Sequence, residues 1–374
     1  MTSSSSSSST ATTTVTATAL APYGWDEAWA EAFAPYDAQG MLPGRVVRVD
    51  RGQCDVVTAD GTVRADTAFV IPHDPMRVVC TGDWVAVEPE GNPRYVRAYL
   101  PRRTAFVRST SSKRSEGQIL AANVDHAVVA VSLAAELDLG RVERFLALAW
   151  ESGAQPLVVL TKADLVPDPV TRSHLVQDVE TSAPGVPVFA VSAQTGEGLD
   201  VLAAVASGGT SVLLGQSGAG KSTLANALLG EEVMDVRAVR DVDGKGRHTT
   251  TTRNLLVLPG GGVLIDTPGL RGVGLYDATT GVGQVFAEIE ELAEGCRFHD
   301  CAHESEPGCA VQEAIAEGEL PHRRLESYRK LLRENQRIVA QSDARLRAEI
   351  RKDWKRKGAQ ARAAMEFKRG GHRR

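Results

Sequence analysis

The chain has 374 residues, 43% of them hydrophobic and 24% charged, which is enough length for two or three domains and enough apolar content for a sizeable core. No apolar run reaches the roughly 18 residues that a membrane-spanning helix needs, and five cysteines, three of them clustered, suit a reducing cytoplasm with a metal site better than a disulfide framework. The net charge of −5 hides an asymmetry: from Asp343 to Arg374, twelve Lys and Arg face four Asp and Glu, so eight surplus positive charges sit on the tail and thirteen negative ones on the rest. A basic tail on an acidic body points to a polyanionic partner, RNA first among them, with a solvated helix end as the plainer alternative.

Residues 1–40 read as a Ser/Thr/Ala-rich extension and lead-in. Met1 to about Ala21 lacks the basic start and compact apolar core of a signal peptide and has the composition of a disordered segment. A short apolar stretch, Trp25 to Phe33, follows. Five short alternating runs then come in quick succession: Gly44–Val49, Cys54–Val57, Gly61–Ala65, Gly82–Val87 and Tyr95–Tyr99. With Gly and Asp turns between them they predict a small β-barrel, an OB-fold, over residues 41–101. Such barrels often hold oligonucleotides, and Arg45, Arg48, Arg64 and Arg97 are its candidate phosphate contacts. Residues 102–119 read as a polar, basic linker containing Arg102, Arg103, Arg108, Lys113 and Arg114.

From 120 to 280 the pattern becomes α/β. Buried-strand runs at Ala127–Val131, Pro156–Leu160, Val186–Val191, Ser211–Leu214, Leu255–Leu258 and Val263–Ile265 alternate with helical segments such as Arg141–Trp150 and Ser222–Leu229. A mainly parallel, helix-covered sheet is expected. Residues 281–342 read as helical, with Gln284–Leu292, Val311–Glu317 and a longer helix from about His322 whose apolar stripe is Leu325, Tyr328, Leu332, Ile338 and Val339. Residues 343–374 form the basic tail.

The strand Ser211–Leu214 runs into Gly215-Gln216-Ser217-Gly218-Ala219-Gly220-Lys221-Ser222, and Thr223 continues into a helix. That strand–loop–helix context is what a phosphate loop requires: glycines let backbone N–H groups curl around phosphate oxygens at a helix N-terminus, Lys221 reaches the β and γ phosphates, and Ser222 ligates Mg²⁺. Asp266-Thr267-Pro268-Gly269 follows the strand Val263–Ile265; Asp266 is placed to hold Mg²⁺ through water and the Gly269 N–H to sense the γ-phosphate. Between these motifs lies Gly244–Arg253, where Thr250 or Thr251 is the candidate to complete the Mg²⁺ shell in the triphosphate state. Thr161-Lys162-Ala163-Asp164 reads as a guanine reader. The Asp164 carboxylate can accept the ring N–H and the exocyclic amine of guanine, Lys162 lies along the base, and Thr161 stands where Asn is usual. Ser192-Ala193 would bring a backbone N–H to the guanine carbonyl. GTP is therefore favoured over ATP.

The order of these motifs is rotated: the guanine reader precedes the phosphate loop, the reverse of a Ras-like GTPase. After Asp266–Gly269 comes Leu270, which cannot orient a hydrolytic water as the glutamine of Ras-like enzymes does; His248 is the candidate substitute. Cys296, Cys301, His303 and Cys309 form a compact set of soft ligands suited to a closed, structural Zn²⁺ site, with His299 as a competing nitrogen.

Taken together, the barrel runs, Ala121-Ala122-Asn123-Val124-Asp125, the rotated motif order, Arg247–Thr251, Asp266–Gly269 and the Cys/His spacing resemble the ribosome small subunit-dependent GTPase A family (RsgA, also called YjeQ or EngC), from about Gly44 to the C-terminal helices. The resemblance implies an N-terminal OB-fold β-barrel, a circularly permuted α/β P-loop GTPase domain and a C-terminal helical zinc-binding domain, and it selects Cys296, Cys301, His303 and Cys309 as ligands, leaving out His299. It further implies a cytoplasmic GTP hydrolase, expected as a monomer, that acts in late maturation of the small (30S) ribosomal subunit, is stimulated by that subunit and binds its rRNA. The alternative is a nucleotide-locked rRNA-binding scaffold with little need for hydrolysis. The Ser/Thr-rich extension, Thr161 and the long basic tail depart from the family pattern.

Overall fold

The computed structural model describes residues 15–50, 52–70, 78–109, 117–234, 254–266 and 278–342. Strands β1 (Leu42–Asp50), β2 (Gln53–Thr58), β3 (Gly61–Asp66), β4 (Trp84–Val87) and β5 (Arg94–Tyr99) close into a barrel in the order β1-β2-β3-β5-β4. Only β3 and β5 pair in parallel, as in the five-stranded OB architecture. Alternation along the strands sends Val46, Val56, Val85, Val87 and Val96 into the barrel. Helix α1 (Glu27–Asp37), capped by Asp26, which accepts the Trp29 N–H at 2.8 Å, closes the barrel by seating Trp29 and Phe33 beside Trp84. Leu20 is fully buried in the same cluster, so the disorder expected up to about Ala21 does not reach it.

The four barrel arginines do not act alike. Arg45 is 1% exposed and cannot contact an external phosphate, contrary to expectation. Its guanidinium donates to the Tyr23 carbonyl (2.8 Å), the Asn123 carbonyl (3.1 Å) and the Thr210 hydroxyl (3.0 Å), and it lies over the Trp84 ring. Burial lowers its pKa to about 10, which leaves it charged at neutral pH. Arg64 is engaged by Asp55 and Arg97 by Glu88 on the barrel surface, while Arg48 is half-buried.

Among the described residues, the stretch expected as a linker is structured at both ends. Arg102 forks onto the fully buried Asp83 at 2.7 and 2.8 Å, and strand β6 (Ala105–Ser109) pairs with β7 (Gly117–Ala122). Its basic composition concealed Phe106 and Ile119, whose burial supplies the reason to fold.

Strands β8 (His126–Ser132), β9 (Gln155–Thr161), β10 (Val188–Val191), β11 (Thr210–Leu214), β12 (Leu255–Val257) and β13 (Val263–Ile265) form a six-stranded sheet in the order β10-β9-β8-β11-β13-β12, with only β12 antiparallel. Helices α2 (Leu139–Ser152) and α3 (Pro169–Ser182) cover one face, and α4 (Leu199–Ala206) and α5 (Lys221–Leu229) the other. Successive residues of β11 serve opposite cores, Val212 and Leu214 one and Leu213 the other.

The C-terminal helices α6 (Thr279–Val285), α7 (Ala287–Ala293), α8 (Ala310–Glu317) and α9 (His322–Ser342) continue the first of those cores. The single helix expected over Gln284–Leu292 is broken at Phe286. There the Val285 carbonyl accepts Arg324 Nη2 at 2.8 Å, and Phe286 turns inward beneath the same guanidinium. On α9, Leu325, Tyr328 and Leu331 are buried, whereas Ile338 and Val339 are half-buried; Asn335, not foreseen, is buried as a link to Ala278 and Thr279.

The clamp between this helical region and the sheet domain centres on Glu143 of α2. Fully buried, it accepts Arg323 Nη1 (2.9 Å), Arg324 Nη1 (2.8 Å) and the Ser327 hydroxyl. Arg144 pairs with Glu334, and Gly281 of α6 lies so close to α2 that a Cβ would sit 2.1 Å from the Ala147 carbonyl. Without Glu143, the Arg324 guanidinium, 3% exposed, keeps only Glu288 as a carboxylate partner, and the Ser327 hydroxyl and Arg323 Nη1 lose their buried acceptor. Glu143→Ala is therefore expected to cost about 3–5 kcal/mol in denaturant unfolding followed at the C-terminal helices.

Candidate nucleotide and metal sites

β11 is buried along its length and parallel to both β8 and β13, so Thr161, Val191, Gly215 and Asp266 all leave the same edge of the sheet. This is the edge at which open α/β sheets bind ligands. Gly215 leaves β11 at φ 139°, where a Cβ would lie 2.4 Å from the Ala130 carbonyl; only glycine fits. Gly220 ends the loop at φ 80° and caps α5 without a side chain, so the helix start offers its N–H groups to an anion. Lys221 Nζ donates to the carbonyls of Gly215 and Gln216, each at 2.7 Å, which folds the ammonium over the mouth of the loop. Ser222 is half-buried beside it and Thr223 is exposed, while Ser217, Gly218 and Ala219 complete the turn.

The guanine reader and the phosphate loop are hydrogen-bonded to each other. Thr161, 4% exposed at the end of β9, donates its hydroxyl to the Ala219 carbonyl at 2.8 Å. Threonine in place of asparagine thus keeps a bond to the loop. Lys162 takes a left-handed φ of 61° that brings its side chain beside Gly220. Asp164 accepts the Ser192 hydroxyl at 2.6 Å, which orients the carboxylate. The Ser192 N–H is engaged by the Glu197 carbonyl at 2.9 Å. Asp266 is anchored through its own N–H to the Asn254 carbonyl at 2.9 Å. His248, Thr250, Thr251 and Gly269 lie outside the described residues.

One residue at this edge was not foreseen. Arg141, in the first turn of α2, places Nη1 on Gln216 Oε1 of the phosphate loop and Nη2 3.2 Å from Asp138. No motif marks it, because its spacing from the loop is set by the sheet order and not by the chain.

The second site lies between α7, α8 and α9. The ligand atoms of Cys296, Cys301, His303 and Cys309 all fall within 4.8 Å of one another. Cys296 Sγ is 3.6 Å and Cys309 Sγ 3.5 Å from His303 Nδ1, and the two sulfurs are 3.9 Å apart. Tetrahedral Zn²⁺, with Zn–S about 2.3 Å and Zn–N about 2.0–2.1 Å, needs S···S and S···N spacings of about 3.8 and 3.5 Å. The donor set therefore fits zinc, and His299 is exposed outside it.

Several residues hold this geometry. His303 takes a φ of 56°, with its carbonyl accepting Gln312 Nε2 and Arg329 Nη2, and burial followed by Arg329 lowers its pKa, favouring the neutral, ligating imidazole. Burial raises the pKa of the Cys296 thiol, but the N–H groups of Val311 and Ala310 at the start of α8, together with hydrogen bonds from Cys309 and Cys301, bring it below the usual thiol value. Glu306, also missed in the sequence, gathers the N–H groups of Ala302, Glu304 and Ser305 at 2.7–3.0 Å. Those and its own N–H hold its pKa at about 2.

The chain is similar to known proteins over most of its length. A family model for RsgA GTPase matches residues 99–276. The chain is 84% identical to "Small ribosomal subunit biogenesis GTPase RsgA" of Streptomyces coelicolor over 95% of its own length and 97% of that protein's. It is 82% identical to the protein of the same description in Streptomyces avermitilis, over 94% and 95% of the two chains. Among solved structures, YjeQ from Thermotoga maritima superposes with a TM-score of 0.58 at 27% identity, covering 79% of this chain and 98% of that one. YloQ, described as a circularly permuted GTPase, superposes at 0.57 with 23% identity, covering 79% and 95%, a likeness of fold.

Two expectations test the site residues. Thr161→Val leaves the Ala219 carbonyl unpaired, at a cost of about 1–3 kcal/mol, and should weaken GDP binding on the order of tenfold in a fluorescent-nucleotide titration. Metal analysis of purified protein should find one equivalent of zinc in the unsubstituted chain and in His299→Ala, and well under half of that in Cys309→Ala.

Proposed function

The chain belongs to the RsgA GTPase family, and from that premise we propose that it hydrolyses GTP to GDP and phosphate in late maturation of the small (30S) ribosomal subunit, with turnover stimulated by that subunit. The observation that carries this reading is the 84% identity to the Streptomyces coelicolor protein of that description, joined to a phosphate loop and a guanine reader held in one hydrogen-bonded unit. We assign the GTPase domain to residues 120–280, the OB-fold to 41–101 and the zinc-binding helical domain to 281–342. Binding is the task of Thr161, Lys162, Asp164, Ser192 and Ala193 at the base, and of the loop from Gly215 to Ser222 at the phosphates. Thr223 follows on α5.

Mg²⁺ would be held by Ser222, by Asp266 through water and by Thr250 or Thr251, and it supplies neutralisation of charge between the β and γ phosphates. Lys221 adds a fixed cation there, and the Gly269 N–H senses the γ-phosphate. His248 orients the attacking water, since Leu270 has no polar atom for that task. Zn²⁺ at Cys296, Cys301, His303 and Cys309 is structural: its four donors leave no open position for chemistry.

The partner is the small subunit with its rRNA, and the basic segment from Asp343 to Arg374 is the complementary charge on this chain. The acting form is a cytoplasmic monomer. Among the described residues no helix is long and apolar enough to cross a membrane.

GTP turnover measured alone and with small subunits, large subunits or naked RNA tests the reading. Small subunits should stimulate turnover strongly and large subunits should not. His248→Ala should lose most of the stimulated rate with GTP affinity nearly intact; a full-rate variant removes the assignment of His248. Equal turnover with and without small subunits would instead favour a nucleotide-locked RNA scaffold.

A further inference from the structure

The phosphate loop has two ends with different neighbours. At its C-terminal end, Thr161 bonds Ala219 and the Lys162 side chain lies beside Gly220, so this end faces the base reader. At its N-terminal end, Lys221 Nζ rests on the carbonyls of Gly215 and Gln216. Since Lys221 serves the β and γ phosphates, that end faces the terminal phosphates. A second cation converges on the same residue: the Arg141 guanidinium sits on the Gln216 carboxamide, 45% exposed and held from behind by Asp138. A neutral carboxamide is a modest partner for a guanidinium, which pairs far better with a planar, multiply charged oxyanion.

We propose that Arg141 is an arginine supplied in cis to the terminal phosphates of bound GTP. It exchanges Gln216 for a γ-phosphate oxygen and stabilises the charge that builds as the reaction proceeds. This rests on the reading of the chain as a GTP hydrolase. In the step it serves, the water oxygen bonds to the γ-phosphorus while the bond from that phosphorus to the β–γ bridging oxygen breaks. The bonding electrons leave with GDP, and the water proton passes to the released phosphate. A guanidinium at the terminal phosphates adds charge stabilisation as the phosphoryl group transfers.

The backbone that carries Arg141 is unusually constrained. Two and three residues on, Glu143 and Arg144 are clamped by Arg323, Arg324, Ser327 and Glu334 of α9. The first turn of α2 is thereby tied to the C-terminal helices, so Arg141 stands at a fixed distance from the loop within the reach of its own side chain.

The test compares Arg141→Ala and Arg141→Lys with the unsubstituted chain on small subunits. It reads kcat, KM, affinity for GDP and affinity for GDP with aluminium fluoride, a mimic of the transferred phosphoryl group. Arg141→Ala should lower kcat on the order of 10³-fold, the lower end of the range for an arginine serving phosphoryl transfer. It should weaken the aluminium fluoride complex by a similar factor and leave GDP affinity within about threefold, with lysine restoring only a small part. Added guanidinium should recover part of the alanine variant's rate, which a merely structural role would not produce. Unchanged kcat and unchanged aluminium fluoride affinity would overturn the proposal. So would equal losses of GDP and aluminium fluoride binding without a change in kcat, which would make Arg141 a loop anchor. Absence of turnover in the unsubstituted chain would instead defeat the hydrolase reading itself.

Discussion

Strand β11 is hydrogen-bonded on both edges, to β8 and to β13, and nearly everything functional in this chain is referred to it. Its carboxyl end launches the phosphate loop. Its amino end is gripped by the barrel and by the preceding segment: Arg45 reaches the Thr210 hydroxyl, Asp125 accepts the Thr210 N–H at 2.7 Å, and the Asp125 N–H donates to the Thr210 carbonyl at 2.8 Å. A strand paired on both sides shifts only by breaking two ladders at once, so loop, barrel and sheet share one rigid reference.

The rotated order of motifs acquires a mechanical meaning in this frame. Guanine reader and phosphate loop are far apart in the chain but are joined by the bond from Thr161 to Ala219. Because the chain enters the domain through β8 and leaves it after β13, both ends are free to be tied to other domains. The entry is tied to the barrel through Asn123, which bonds Gly82, Arg103 and Arg45 at once. The exit is tied to the C-terminal helices through α2. That helix presents Arg141 to the phosphate loop and Glu143, Arg144 and Glu151 to the C-terminal helices, so it links the loop to those helices.

Both ties use buried charge. Arg45 sits at the barrel joint and Glu143 with Arg324 at the helical joint, each almost wholly out of water. Such groups contribute little net stability against apolar replacements, but they tolerate no alternative arrangement because each would then be left unpaired. Specific relative placement of three domains is what such a trade provides.

Local pattern alone determined a great deal here. The alternating runs marked all five barrel strands, and the apolar runs marked the sheet strands, because burial on one or two faces imposes a period that the chain must carry. The phosphate-loop and guanine-reader motifs and the Cys/His cluster were legible because their chemistry demands fixed residue types at short spacing, but spacing left His299 beside His303 as a nitrogen ligand, and it is the fold that gathers His303 with the three cysteines. What only the tertiary structure decided were the contacts between segments remote in the chain. Arg45, read as a phosphate contact, is an internal bolt; the stretch read as a linker folds around Phe106; the helix read as continuous breaks at Phe286 under the pull of Arg324; and Arg141 meets a loop 75 residues away. A charged side chain looks the same in a sequence whether it faces water or a buried partner. Its role is fixed by what the fold brings opposite it, and no local spacing records that.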